Sequence, residues 1–162
     1  MMRVEPTALR PLVERVMSIF AATAQAANIA LVADHGPESP FALVDPLRLE
    51  QALLNLMSNA IKFTPIGGEV RIGIARVGDS VQVSVADTGT GIDPADIDRI
   101  FDRFFRTRTA VDAAVKGSGL GLAIARRMIE AQNGELRVTS TVGVGSTFTM
   151  TLPAASRELE AV

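Results

Sequence analysis

Five polar residues recur at three- and four-residue spacing in one stretch of the chain: Arg48, Gln51, Asn55, Asn59 and Lys62. At ~100° per residue they fall within about 80° of one another on a helix. The opposite side carries Leu49, Leu53, Leu56 and Ala60. A solvated face would account for the charges. It accounts less well for two asparagines four apart, because asparagine is a mediocre helix former and glutamate or lysine would serve solvent better. An amide oxygen is a hard, neutral ligand suited to Mg²⁺, which keeps waters and relies on phosphate oxygens for charge. Lys62, one turn on, can place its ammonium near the same phosphates, and Phe63 offers an apolar face for a base. The pattern describes a Mg–nucleotide surface.

Three further segments bear on the same chemistry. Asp87-Thr-Gly-Thr-Gly-Ile92 follows directly on a strand pattern. A surface turn uses such residues too. A strand-end carboxylate beside bare backbone can instead accept a hydrogen bond from an adenine amino group and reject guanine, whose oxygen would face it. Gly117-Ser-Gly-Leu-Gly-Leu122 opens a helix pattern, and glycines there let backbone N–H groups approach phosphate. It is neither a Rossmann fingerprint, since Leu122 sits where the third glycine belongs, nor a P-loop, since no lysine follows. Between the two lies Ile100-Phe-Asp-Arg-Phe-Phe-Arg106, with three of the chain's seven phenylalanines. Core packing is the ordinary use of such a cluster. The irregular residues after it, Thr107 to Lys116, include Arg108, and a long loop inside a compact domain is usually functional. It reads as a lid that closes over a nucleotide.

The elements that must position these groups follow from periodicity. Residues 6–27 predict an amphipathic helix started by Pro6 and Thr7, with Leu9, Leu12, Val13, Val16, Ile19 and Phe20 on its apolar face. Short strands are expected near 29–33 and 41–44, joined by the polar loop Asp34–Pro40. The second helix spans 45–63, with Asp45 as cap and Pro46 at its first position. Alternation over 69–86, broken at Gly78-Asp79, predicts a hairpin. A short helix is expected over 95–101. A third long helix covers 118–132, with Leu120, Ile124, Met128 and Ala131 inward. Strands around Leu136–Val138 and Thr147–Leu152 close the pattern. Without regular βα alternation, a doubly wound fold is disfavoured, and an α+β two-layer sandwich is expected.

Composition narrows the chemistry. The 162 residues carry a formal net charge of −2, so nucleic acid is not an expected partner. No cysteine is present, which excludes disulfides and thiol chemistry, and the single histidine, His35, excludes clustered imidazole metal sites. No apolar run approaches the ~18 residues that span a bilayer, and no direct membrane insertion is expected. Of 16 basic residues only Lys62 and Lys116 are lysine, and both fall at the proposed phosphate site.

These motifs, in this order, resemble those of bacterial sensor histidine kinases. Asp45-x-x-Arg48-x-x-Gln51-x-x-x-Asn55-x-x-x-Asn59-Ala-x-Lys62-Phe-Thr64 is similar to their N box, Asp87–Ile92 to the first glycine box, Phe101–Arg106 to the F box and Gly117–Leu122 to the second glycine box. Gly145-Ser-Thr-Phe148 with Leu152-Pro153 resembles the end of the same domain. The resemblance covers about residues 5–155. It implies the Bergerat-type ATP-binding fold shared with gyrase, Hsp90 and MutL: a mixed sheet of about five strands covered on one face by three helices, with a lid over about 102–116. A catalytic domain over 1–155 and a charged tail over 156–162 are expected. The resemblance implies ATP and Mg²⁺ as cofactors, with Asn59 ligating the metal and Asn55 nearby. It implies that Lys62 contacts phosphate, Phe63 lines the adenine site, Asp87 holds the adenine amino group and Arg106 approaches the terminal phosphate. It also implies nucleotide contacts from Gly89, Gly91, Ile92, Lys116, Gly117, Ser118, Gly119, Leu120, Gly121, Leu122 and Thr147. ATP-hydrolysing members of the superfamily carry a glutamate four residues before the magnesium asparagine. Here Asn55 stands there, and an amide cannot act as a general base for water.

In such kinases a dimerising helical hairpin bears the phosphorylated histidine. His35, in the polar loop, reads as a solvated loop residue rather than a phosphoacceptor. The expected substrate is therefore a histidine on a dimerisation domain, in the same longer chain or in a separate subunit, with a response regulator downstream and a cytoplasmic location. The opening Met-Met-Arg favours a native start, and the lack of a hairpin favours a monomer. A nucleotide-binding regulatory module, a stand-alone ATPase and an anti-sigma-type serine kinase are the competing readings.

Overall fold

The computed structural model describes residues 1–106 and 120–156. Its elements run β1 (Glu5–Ala8), α1 (Leu9–Ala26), β2 (Ala30–Asp34), β3 (Phe41–Val44), α2 (Pro46–Phe63), β4 (Glu69–Val77), β5 (Ser80–Asp87), α3 (Gly121–Glu130), β6 (Glu135–Thr141) and β7 (Gly145–Pro153). Five strands form a mixed sheet in the order β2-β4-β5-β7-β6, and β1 and β3 form a separate antiparallel ribbon. Only β2 and β4 pair in parallel, because the chain crosses over through β3 and α2 between them. The hairpins β4–β5 and β6–β7 supply antiparallel pairs, as alternation predicts.

That alternation sets the two layers. Val70, Ile72 and Ile74, with Val81, Val83 and Val85 and with Phe148, Met150 and Leu152, are buried on one face, where α1, α2 and α3 cover them in a single core. Their neighbours Ser84, Ala86, Thr147 and Thr149 point to the opposite face. The fold is thus the expected α+β sandwich, with a five-stranded sheet covered by three helices.

Four sequence expectations shift. Pro6 and Thr7 lie in β1, not in a helix, and pair with Leu43 and Ala42. Proline fits an edge ribbon as well as a helix start, and the two are indistinguishable until a partner strand is present. The helix begins at Leu9, and Ile19, assigned to its apolar face, is 55% exposed. Residues 95–101 form successive turns instead of a helix, with bonds only at every third residue, from Asp96 N–H to the Asp93 carbonyl, Arg99 to Asp96 and Asp102 to Arg99. The inward face of α3 is set by Ala123, Ala125 and Ile129, with Gln132 just beyond, while Ile124 and Ala131 are exposed. Small alanines let α3 lie close against α2, so two of the buried positions are not marked by large apolar residues, while the larger Ile124 is exposed.

The polar loop departs from its expectation too. It folds back on α1, where Arg10 Nη2 donates to the carbonyls of Gly36 (2.6 Å) and Glu38 (3.3 Å). The His35 ring is nine-tenths buried, with Glu14 Oε1 3.9 Å from Nε2.

Candidate functional site

The N-terminus of α2 is held by a cap with several roles. Asp45 Oδ1 accepts from the N–H groups of Leu47 (3.1 Å) and Arg48 (3.4 Å), and Oδ2 from Arg3 N–H (2.8 Å). Its own N–H donates to Gln132 Oε1 at 2.5 Å, and Gln132 Nε2 donates to the Met128 carbonyl. One aspartate thereby ties the β1 lead-in, the start of α2 and the end of α3. The Arg3 amide, more than the Arg48 charge, holds its carboxyl below the ordinary 3.8.

From this anchor α2 presents the polar stripe. Leu49, Leu53, Leu56, Met57 and Ala60 are buried, so Asn55 and Asn59 are half-buried and Lys62 is exposed on the other side. Among the described residues, no hydrogen bond or ion pair engages the side chains of Asn55, Asn59 or Lys62. The C-terminal turn of α2 meets the glycine loop that follows β5. Thr90 N–H donates to the Phe63 carbonyl at 3.3 Å. A Cβ on Gly89 would lie 2.5 Å from that carbonyl oxygen and 2.7 Å from Asp87 Oδ1, so only glycine lets the loop pass this close. Gly91 has φ +75° and abuts the Thr141 carbonyl on the β6–β7 hairpin.

Asp87, the last residue of β5, shares the inward face of the sheet with Val81, Val83 and Val85 and is buried. Oδ1 accepts from Gly89 N–H (2.8 Å) and Ser146 N–H (3.3 Å). Oδ2 takes no hydrogen bond among the described residues. Burial pushes the carboxyl above its ordinary 3.8, and the two amides only partly offset that. A buried acceptor with one oxygen open is suited to a ligand N–H donor.

The hinge of the expected lid is also in view. Phe101 packs edge-on against Phe148 of β7 (6.2 Å, 89°), with the Arg126 guanidinium over its ring, 5.1 Å from the centroid. Arg99 lies over the Phe105 ring at 4.6 Å. Phe104 is 69% exposed with φ +64°, and Arg106 is half-buried at the end of the segment. Leu120, Gly121 and Leu122 stand at the start of α3, where Gly121 has open space around it. Lys116, Gly117, Ser118 and Gly119 lie outside the described residues, as does the lid from 107 onward.

The structure therefore brings Asn55, Asn59, Lys62 and Phe63 on α2 together with Asp87, Gly89 and Gly91 through the Phe63–Thr90 and Gly89 contacts, and Ile92 closes the loop. Thr147 lies on the opposite face of β7, paired with Ala86, and its neighbour Ser146 is the residue beside Asp87. Strand alternation within Gly145-Ser-Thr-Phe148 could have indicated this: Phe148 is inward, so Ser146 must be as well. Among the described residues no cluster of three His, Asp or Glu side chains could hold a metal, so a cation here would take amide oxygens and depend on phosphate for charge. The two unpartnered asparagines fit that requirement.

Comparison with known proteins agrees with this arrangement. The family described as histidine kinase-, DNA gyrase B- and HSP90-like ATPase matches residues 44–156. The sensor-like histidine kinase SenX3 of Mycobacterium tuberculosis is 42% identical over 143 residues, which is 88% of this chain and 35% of SenX3. The chain thus spans about a third of that relative's length. Among solved structures, full-length ShkA in complex with AMPPNP superposes with a TM-score of 0.84 at 32% identity, over 96% of this chain and 32% of ShkA. The catalytic domain of histidine kinase ThkA gives 0.82 at 29% identity, over 94% of this chain and 96% of that domain. ThkA has also been solved in complex with the response regulator protein TrrA. With the buried carboxylate, the asparagine stripe and the glycine loop in these positions, the chain belongs to the histidine kinase-, gyrase B- and HSP90-like ATPase family, and it is similar to the catalytic ATP-binding domain of sensor histidine kinases.

Proposed function

We propose that this domain binds Mg-ATP between α2, the glycine loop and the start of α3, and presents the γ-phosphate to a histidine carried by another domain or protein. The observation that carries the proposal is the Asp87 carboxylate. It is buried and fixed through one oxygen, with its other oxygen unpartnered among the described residues, and its glycine loop meets the C-terminal turn of α2 at Phe63. In this reading Asp87 Oδ2 accepts the adenine amino hydrogen, and Gly89 and Gly91 leave room for the ring. Asn59 would hold the cation through its amide oxygen, with Asn55 nearby. When bound, Mg²⁺ neutralises phosphate charge and orients the triphosphate. Lys62 adds a positive charge at the α2 end of the phosphates. Arg106, with Lys116 and the backbone of Gly117–Gly119 assigned by family resemblance, faces the terminal phosphate. The phosphoryl group passes from the β–γ bridging oxygen to an imidazole nitrogen. An N–P bond forms, the O–P bond breaks and ADP leaves. Such transfer depends mainly on positioning and charge neutralisation. Asn55 supplies no base for water, so phosphate is spared for the histidine.

The ShkA complex with AMPPNP and the ThkA complex with a response regulator support nucleotide binding and a downstream regulator for this chain. Among the described residues no helix is long and apolar enough to cross a membrane, which fits action in the cytoplasm. Calorimetry tests the site. The unaltered chain should bind Mg-ATP, and Asn59→Ala and Asp87→Ala should each reduce binding at least a hundredfold. Normal binding by either variant would remove that residue from the site. Radiolabelled ATP with a histidine-bearing helical partner tests the transfer. Acid-labile label on the partner is expected, with negligible phosphate release from the chain alone. Binding without transfer would favour a regulatory module.

A further inference from the structure

The glycine loop and the β6–β7 hairpin are joined through a single side chain that neither motif includes. Ser140, one residue from the end of β6, accepts the Ile92 N–H on its Oγ at 2.8 Å. The same Oγ lies 2.7 Å from Ser146 Oγ, its partner across the β6–β7 register, and 3.1 Å from the Gly145 carbonyl. Ser146 N–H in turn donates to Asp87 Oδ1. Two serines thus connect the last residue of the loop, Ile92, with its first, Asp87. A hydroxyl has one hydrogen and two lone pairs. Accepting from Ile92 N–H and Ser146 O–H while donating to the Gly145 carbonyl would satisfy Ser140 completely. The other hairpin bond to the loop, Gly143 N–H to the Thr90 carbonyl at 2.8 Å, involves backbone alone and is insensitive to side-chain identity.

We infer that Ser140 is a positioning residue for base recognition: through Ile92 it sets where the glycine loop closes beside the Asp87 carboxylate. This inference rests on the nucleotide reading above. Losing the hydroxyl leaves the Ile92 N–H without its acceptor and frees the Ser146 side chain to rotate. The Ile92 end of the loop then loosens, whereas the backbone bond from Ser146 N–H to Asp87 and α2, with its asparagines and Lys62, are untouched. The consequence is selective. Discrimination at the base should weaken, while binding through the phosphates should persist.

The test is the affinity of the whole chain for Mg-ATP and Mg-GTP by calorimetry and competition, for the unaltered protein, Ser140→Ala and Ser140→Thr. Ser140→Ala should weaken ATP binding about tenfold and GTP binding by less than about twofold, so that the ATP-over-GTP preference falls. Ser140→Thr, which keeps the hydroxyl, should recover most of it. Equal weakening toward both nucleotides, or no weakening, would overturn the inference. If Ser140→Ala does not fold, amide exchange in the unaltered chain decides. Mg-ATP should slow Ile92 and Ser146 together, and protection confined to Gly89 would overturn the proposal. Failure of the unaltered chain to bind Mg-ATP would instead overturn the nucleotide reading on which this rests.

Discussion

Asp87, proposed above to hold the base, sits in a form that costs stability. Its carboxyl titrates above 3.8 because burial penalises the charged form. A raised folded value in an acid contributes stability at pH below the unfolded 3.8, and that contribution is lost as pH rises through the folded value. At neutral pH the ionised group therefore works against folding. Asp87→Asn keeps an oxygen for the Gly89 and Ser146 amides and removes the charge. It should unfold at a higher temperature than the unaltered chain at pH 7, with the difference vanishing toward pH 3–4, as thermal scans across pH would show. The same variant should fail to bind Mg-ATP, because its NH₂ would face the adenine amino group, donor against donor. Sequence made Asp87 a candidate through its place before Gly89 and Gly91. The burial that gives it this cost depends on the α-helical layer and on Ser146, 59 residues away.

At the scale of elements, α2 was legible in advance down to its cap. Asp45 and Pro46 mark its start, the asparagine stripe its polar face and the leucines its core face, all within 19 residues. What the local pattern did not contain is the use of Asp45 as a junction for Arg3 and Gln132. Asp45→Ala should destabilise the domain by about 2 kcal/mol, the upper part of the range for a lost N-cap, since the Arg3 amide loses its acceptor as well. Because the folded carboxyl lies below 3.8, its contribution is present above that pH and lost as pH falls through the folded value. The difference between Asp45→Ala and the unaltered chain in urea unfolding should therefore shrink in strong acid. Elsewhere the local signal was ambiguous. Pro6-Thr7 suits both a helix start and an edge strand, and only pairing with β3 decides between them. In α3 two of the three buried residues are alanines, so hydrophobicity pointed partly aside from the true inward face.

For the whole molecule, the site is an assembly of distant segments, so ligand and fold are linked. Mg-ATP at about 100 times its dissociation constant should stabilise the unaltered chain by about 2.7 kcal/mol, or about 7 °C in melting temperature for a domain of this size. Asn59→Ala should show no such shift, and a scan with and without nucleotide checks both. The sequence by itself determined the residue types and local periods. Those specified the layered α+β class, most elements, the two asparagines on one helical face and the carboxylate before its glycines, because each depends on neighbours a few residues apart. Tertiary structure alone decided the rest. It set the parallel pairing of β2 with β4, the inward face of α3, the burial of His35 against α1, the β5–β7 register that puts Ser146 opposite Asp87, and the clasp of Ser140 on Ile92. Each of these is a contact between residues far apart in the chain. Its energy depends on which surface the fold brings opposite, and no local pattern encodes that surface.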